Sequence, residues 1–245
     1  MALDVAQVVR VPGFTARHGF STASLGSMGL TGSREPDEVM ARRDRFGKEV
    51  GFDLRQAALA AQVHGVSVHE FHRARWIGAQ TILQTDALAT DQPGQALITY
   101  HADCFPILFS DASRGVVAAA HAGWRGTLAG VASEVVRSMT QAYGSRPQDL
   151  QVLIGPGICG PCYQVTSELG DQFANRYGRS DRYLVPDGPG HVRLDVAAVN
   201  RLQLEDGGVP ADRIVDSFLC TFEDERFYSH RAGRPGRFLS AIVAG

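Results

Sequence analysis

The sequence predicts a single mixed α/β domain over residues 1–245, with central β-sheets flanked by helices. Three observations carry this expectation. Apolar runs of strand length recur along the chain, among them "ALITY", "PILFS", "GVVAAAH" and "LQVLIG". Segments with apolar residues at helical spacing lie between them, several bounded by Pro, Asp or Gly. The two types alternate irregularly rather than as a strict repeat, which points to a mixed sheet arrangement. With 44% hydrophobic and 20% charged residues, the chain has the side chains for a sizeable core and is not disordered in composition.

The elements follow in order. "AQVVRV" reads as a first strand. "REPDEVMARRDRFGKEVG" reads as a helix, because Pro36 suits a first turn, Asp37 and Glu38 complement its positive end, and Gly51 suits its stop. The second half of "ALAAQVHGVSVHEF" is extended, with Val63, Val66 and Val68 among small or polar residues. "QALITYHADCFPILFSD" and "GVVAAAH" are apolar runs separated by "ASRG", so adjacent buried strands are expected. "TLAGVASEVVRSMTQAYG" places Leu128, Val131, Val135 and Met139 at helical spacing, starting near Gly126 and stopping at Gly144. "LQVLIG" is a short strand, and "TSELGDQFANRYG" and "LDVAAVNRLQLEDGG" are helices. The second of these has Asp195 as N-cap and Gly207 as C-cap. "RIVDSFLC" and "RFLSAIVAG" are closing strands.

Charge and cysteine content exclude several classes. The formal net charge is −2, so no basic excess points to nucleic acid or a membrane surface. The N-terminal stretch "MALDVAQVVRVPGF" lacks the charged and apolar regions of a secretory signal, and no apolar run approaches a membrane span. Four cysteines are too few for a disulfide scaffold of this size. The expectation is a cytoplasmic protein with reduced thiols.

The histidines differ in setting. His64 in "QVHGV", His101 in "YHADC", His121 in "AHAGWRG" and His230 in "FYSHR" sit at the edges of apolar runs, where α/β proteins place functional groups. His18, His69, His72 and His191 lie in more polar surroundings, for which surface or loop roles suffice. Taken singly, an ordinary hydrogen-bonded histidine explains each. Cys104 alters the weighing. It heads a buried run beside Asp103, and its run is expected to neighbour the one ending at His121. If His64 comes from a third strand end, a His₂Cys triangle results. Three N/S ligands with an open fourth position make a catalytic zinc arrangement, which lowers the pKa of a bound water to about 7 or polarises a substrate atom.

After His121 come Trp124 and Arg125, framed by Gly123 and Gly126. A helix start with an arginine beside it is a candidate anion site, and Arg231 in "FYSHRAGRPGR" is a second candidate. Trp124 is either core packing or a stacking surface for a base. "ICGPCYQV" holds a C-x-x-C pair, Cys159 and Cys162, in the context of a redox motif, but the order of elements around it is not that of a thioredoxin. A zinc site at this pair would want a second close pair, and the sequence shows none.

In order, "QVHG", "TDALAT", "ADCFPILFSD", "AAAHAGWRGTLAGV", "IGPGICGPCYQV" and "CTFEDERFYSHR" resemble the laccase-domain family. Its members have been named polyphenol oxidases, peptidoglycan editing factors and purine nucleoside phosphorylases. The resemblance runs from about His18 to the C-terminus. It implies one α/β domain and a zinc site whose ligands fall on His64, Cys104 and His121, with copper conceivable in place of zinc. It implies phosphorolysis of adenosine, inosine and guanosine to base and ribose 1-phosphate, with methylthioadenosine cleavage and adenosine deamination beside it. For that chemistry Arg125 and Arg231 are the phosphate candidates. Asp103 is the candidate proton shuttle, and Cys104, His64 and His121 are the other catalytic residues. The expected partners are a purine nucleoside and phosphate, with a monomer or weak homo-oligomer as assembly. Two departures stand out. "GFSTASLGSMGLTGSREPDEV" is shorter than the family's N-terminal Gly-rich loop and lacks its Asn, and Gln164 stands where the family has Glu.

Two other chemistries fit part of the pattern. A Cys–His hydrolase would use Cys104 as nucleophile with His121 or His64 as base, which suits a peptidoglycan-editing role. A copper oxidase would use His₂Cys with an axial ligand, but a multicopper centre needs a further histidine cluster, and the chain has no H-x-H pair.

Overall fold

In the computed structural model of the protein, residues 6–30, 34–72 and 78–245 are described. The first five residues of the stretch judged not to be a secretory signal, and three residues of the shortened N-terminal loop, lie outside them.

The strands are β1 (Val8–Val9), β2 (Arg17–Ser21), β3 (Ala57–Ala61), β4 (Val68–Phe71), β5 (Gln80–Leu83), β6 (Ala87–Thr90), β7 (Ala96–His101) and β8 (Phe105–Asp111). They continue with β9 (Val116–Ala122), β10 (Gln151–Ile154), β11 (Gln164–Thr166), β12 (Leu184–Pro186), β13 (His191–Leu194), β14 (Ile214–Asp216) and β15 (Phe238–Val243). The helices are α1 (Pro36–Val50), α2 (Trp124–Ala129), α3 (Val131–Tyr143), α4 (Ser167–Tyr177) and α5 (Val196–Asp206). One six-stranded sheet has the order β1-β2-β15-β7-β3-β5, a second β14-β10-β8-β9-β6-β4, and a small third β11-β13-β12. The chain is thus a mixed α/β fold, with sheets and five α-helices among the described residues.

The alternation of side chains along each strand builds the layers. Phe20, Ala58, Leu97, Leu108, Val117, Ala119, Leu153, Phe238 and Ile242 share one core, so the two large sheets pack face to face. The other parity of the second sheet, including Ile107, Phe109, Ala118 and Ala120, meets Val135 and Met139 of α3 and Val199 and Leu202 of α5. On the first sheet, Leu59, Ile98 and Leu239 meet Phe46 and Val50 of α1. A fully buried side chain such as Phe109 contributes about 1.5–3 kcal/mol.

Several sequence expectations shift in detail. The first strand shrinks to β1. "QALITYHADCFPILFSD" is two strands in different sheets, because Asp103 takes φ 88° and breaks the run. The expected pairing across "ASRG" is β8 against β9, antiparallel, with Pro106 opposite His121 and Phe105 opposite Ala122. The helix expected from Gly126 begins at Trp124 and is split at Gly130, whose φ is 101°. Asp195 caps α5 by accepting from the Ala198 amide at 2.9 Å. β2, β3, β5, β6 and the third sheet have no counterpart in the sequence reading. Alanine carries little strand preference, so "ALAA" in β3 and "ALAT" in β6 were silent. His18 is a correction. It is not a loop residue but is buried on β2, its Nε2 accepting from the Val11 amide at 3.0 Å. Its ring lies edge-on to Phe14 and Phe20 at 5.1 and 6.0 Å.

Candidate metal centre

His64, Cys104 and His121 come together at one end of the two packed sheets, with their donor atoms all within 4.8 Å of one another. Each arrives by a different route. His121 is the last residue but one of β9 and is buried. Cys104 sits in the break between β7 and β8. Its carbonyl lies 3.1 Å from His101 Nδ1, and the Asp103 carbonyl accepts from the Ile158 amide at 2.9 Å. His64 lies in the loop between β3 and β4 with φ 63°, a left-handed conformation that costs about 1–3 kcal/mol for a side-chain-bearing residue.

Asp86 holds that conformation. Its Oδ2 accepts from the Val63 and Gly65 amides at 3.1 and 2.7 Å, and its Oδ1 accepts from the His64 amide at 2.9 Å. The same Oδ1 accepts from His121 Nδ1 at 3.0 Å, which turns His121 Nε2 to the centre. One buried carboxylate therefore orients two of the three candidate ligands. Burial acts to raise the Asp86 carboxyl, but His121 and the loop amides hold it below the usual range. Asp86 lies in "TDALAT", and sequence reading missed it because carboxylates without a ligand-type spacing carry no signal.

The electrostatics follow from crowding. Burial alone would raise the Cys104 thiol, but His121 and His64 beside it bring it down to about 6. Burial would likewise lower His121, but Cys104 and Asp86 raise it to about 9. Both shifts favour the thiolate–imidazolium form of the metal-free pair. The donor set of two imidazoles and a thiolate fits zinc, which prefers N and S ligands. The fit extends to the backbone. A Cβ on Gly123 would lie 2.7 Å from Cys104 Sγ and 3.2 Å from His64 Cδ2, and one on Gly126 would lie 2.8 Å from the Gly65 carbonyl. Both glycines let the start of α2 pass against the centre.

The arginines sit at its rim. Arg125 stacks over Trp124 at 4.2 Å, and Arg231 stacks over Tyr163 at 4.8 Å. Trp124 is half-buried and packs against the α3–α5 core, so packing and guanidinium stacking occupy it together. The Tyr163 hydroxyl feels the charges of Arg231, Cys104, Asp103 and Arg125, so these groups lie near one another on that side of the centre. α2 has only six residues, too short for an appreciable dipole, so the anion-attracting charge here is the guanidinium rather than the helix end.

Asp103, the candidate proton shuttle, faces the loop that carries Arg231. Its Oδ1 accepts from Thr221 Oγ1 at 2.8 Å and Ser229 Oγ at 2.6 Å, and its Oδ2 accepts from the Arg231 amide at 2.7 Å. Both oxygens are committed to the loop that carries Arg231. Arg231 Nη1 also donates to the Gln164 carbonyl at 3.0 Å, while the Gln164 side chain turns away to Asp187. His101 is buried between the sheets, its ring 5.5 Å from that of His121, and among the described residues joins no ligand group; His230 is exposed. Cys159 and Cys162 lie apart from the triangle. Burial, with Cys220 and Glu223 adding to it, keeps the Cys162 thiol up at about 11, the reverse of a redox-active cysteine. The expectation that no second close pair exists is corrected: Cys220 and Glu223, three residues apart, face Cys159 and Cys162.

Among the described residues, no helix is long and apolar enough to cross a membrane. A purine nucleoside phosphorylase of Deinococcus radiodurans is 36% identical, over 96% of this chain and 92% of that protein. Adenosine deaminase RL5, from an unknown prokaryotic organism, is 34% identical over 79% and 76%. The crystal structure of YlmD from Geobacillus stearothermophilus superposes with a TM-score of 0.89 at 32% identity, covering 99% of this chain and 97% of that one. The family described as multi-copper polyphenol oxidoreductase laccase matches residues 11–245. On this match and these relatives, the chain belongs to that laccase-domain family.

Proposed function

We propose that this protein is a zinc-dependent purine nucleoside phosphorylase. It converts adenosine, inosine and guanosine to base and ribose 1-phosphate, with methylthioadenosine phosphorolysis and adenosine deamination as further activities. The observation that carries the reading is the meeting of His64, Cys104 and His121 in one ligand group, with Arg125 and Arg231 close enough to share the surroundings of Tyr163 with Cys104. The names of the relatives in Deinococcus radiodurans and of RL5 support the substrate class.

In this reading His64, Cys104 and His121 hold the metal, which supplies Lewis-acid polarisation when bound. Arg125 and Arg231 bind phosphate, and their stacking on Trp124 and Tyr163 fixes the planes of the guanidinium groups before phosphate arrives. The glycosidic bond breaks as a phosphate oxygen bonds to C1′ of the ribose, and the base leaves with a proton. In this reading Asp103 is a positioning residue, since its carboxylate accepts from the Arg231 amide and from two hydroxyls and so holds the loop that carries Arg231. Zinc is favoured over a multicopper centre because all eight histidines are described, and only His64 and His121 belong to a ligand group.

The test is purified protein with adenosine, with and without phosphate, and products resolved by mass. Ribose 1-phosphate formed only with phosphate supports the reading; no product from metal-replete protein, or full activity in Cys104→Ala, sinks it. A second reading rests on the lowered Cys104 thiol beside His121, which is also the pairing of a Cys–His hydrolase. That enzyme would survive chelation and be killed by alkylation, and it would leave nucleosides intact.

A further inference from the structure

Four ligand-type side chains outside the first centre converge on a second point. Cys159, Cys162, Cys220 and Glu223 have donor atoms all within 4.8 Å of one another. They come from two turns of the same spacing. Cys159 and Cys162 flank the turn at Gly160–Cys162, where the Cys162 amide donates to the Cys159 carbonyl at 3.0 Å. Cys220 and Glu223 flank another, where the Glu223 and Asp224 amides donate to the Cys220 carbonyl at 3.2 and 2.8 Å. A bridge fixes the two turns against each other. The Gly157 amide donates to the Leu219 carbonyl at 3.1 Å, and the Thr221 amide to the Gly157 carbonyl at 2.9 Å. Gly157 is required there, since a Cβ would lie 2.4 Å from the Phe105 ring.

We propose that Cys159, Cys162, Cys220 and Glu223 form a second metal site, a structural Zn²⁺ centre closed by four protein ligands. Three thiolates and a carboxylate select a thiophilic cation over magnesium, calcium or manganese. Cys162 Sγ lies 3.5 Å from Glu223 Oε1. That matches the edge of a tetrahedron with zinc–sulfur and zinc–oxygen bonds of about 2.3 and 2.0 Å. The Cys159 amide donates to Cys220 Sγ at 3.3 Å, an outer contact of the kind that supports a metal-bound thiolate. All four cysteines are free thiols, and Cys159 and Cys162 are half-exposed, so a cation can enter from solvent. Four protein ligands leave no open position, so the role is structural.

The centre clips together the two loops that frame the first one. Tyr163, the platform under Arg231, follows Cys162 directly, and Thr221, a donor to Asp103, follows Cys220.

The experiment measures zinc per chain and does not read activity, so it stands or falls apart from the nucleoside reading. Full-length protein is purified in reducing buffer, and metal is counted by mass spectrometry. Wild type is expected to hold two equivalents. A Cys104→Ala/His121→Ala variant is expected to keep one, and its cobalt form is expected to show the strong sulfur-to-cobalt charge-transfer absorption of several thiolate ligands. Cys159→Ser/Cys162→Ser is expected to lose that equivalent. Should the double serine variant fail to fold, Glu223→Ala at the exposed ligand is expected to weaken second-site zinc in chelator competition by at least the roughly 10–100-fold that losing an outer-shell contact costs. The proposal is overturned if folded Cys104→Ala/His121→Ala holds no zinc, if its cobalt form lacks the thiolate band, or if Cys159 and Cys162 are found joined as a disulfide under these conditions.

Discussion

Asp86 accepts a hydrogen bond from His121 Nδ1 at 3.0 Å with the same oxygen that caps the His64 amide at 2.9 Å. One carboxylate thus sets a ring orientation on a strand and a strained backbone in a loop. Asp86→Ala is expected to release both and to lower metal affinity about 10–100-fold. Chelator competition with the isolated protein reads this, and an unchanged affinity would remove Asp86 from the centre.

Gly123 is tied to the centre by space rather than by conformation. Its φ of −82° is open to any residue, so Gly123→Ala carries no backbone strain. The added methyl would instead lie 2.7 Å from Cys104 Sγ. Loss of zinc is expected from a chain that keeps its native circular dichroism. Retention of a full first-site equivalent would show that the helix start can move away.

Arg231 and Asp103 separate by kinetics. Arg231→Ala is expected to raise KM for phosphate roughly 10–100-fold, since a charged hydrogen bond is worth about 1.5–3 kcal/mol. Asn tolerates left-handed backbone, so Asp103→Asn preserves the φ of 88° while weakening the hold on the Arg231 loop. It is expected to raise the same KM without removing a limb of the pH profile. Loss of a limb with KM unchanged would return Asp103 to proton transfer.

His18 gives a pH dependence of stability. Burial lowers its pKa below 6.5, opposed by the Ala16 carbonyl and aided by Arg10. The unfolded chain therefore binds a proton that the folded chain refuses. Stability from this site is complete above pH 6.5 and is lost as pH falls towards the folded value, at up to about 1.4 kcal/mol per pH unit. Denaturant unfolding at pH 7.5 and 5.5 is expected to show a smaller loss in His18→Gln than in wild type. Equal losses would mean that the ring charges in place.

Legibility in the sequence followed the physical strength of each signal. α1 and α5 were readable because Pro36, Gly51, Asp195 and Gly207 mark chain direction locally. β8 and β9 were readable as neighbours because a short turn leaves them little choice but to pair. The split of "QALITYHADCFPILFSD" was not, since a non-glycine residue at positive φ gives no warning in sequence. His18 was misread because its polar neighbours say nothing of the aromatic rings packed on it. The C-x-x-C pair was read in isolation because its partner turn pairs a cysteine with a glutamate and lies 61 residues away.

By itself, the sequence determined the mixed α/β class, the main helices, and the residue types able to hold a metal at His64, Cys104 and His121, because composition, periodicity and capping act over a few residues. Only the tertiary structure decided that Asp86 orients two of those ligands, that Asp103 serves the Arg231 loop, and that Cys220 and Glu223 face Cys159 and Cys162. Those relationships depend on which strand ends the packed sheets bring to one edge, and sheet packing is set by side chains far apart in the chain.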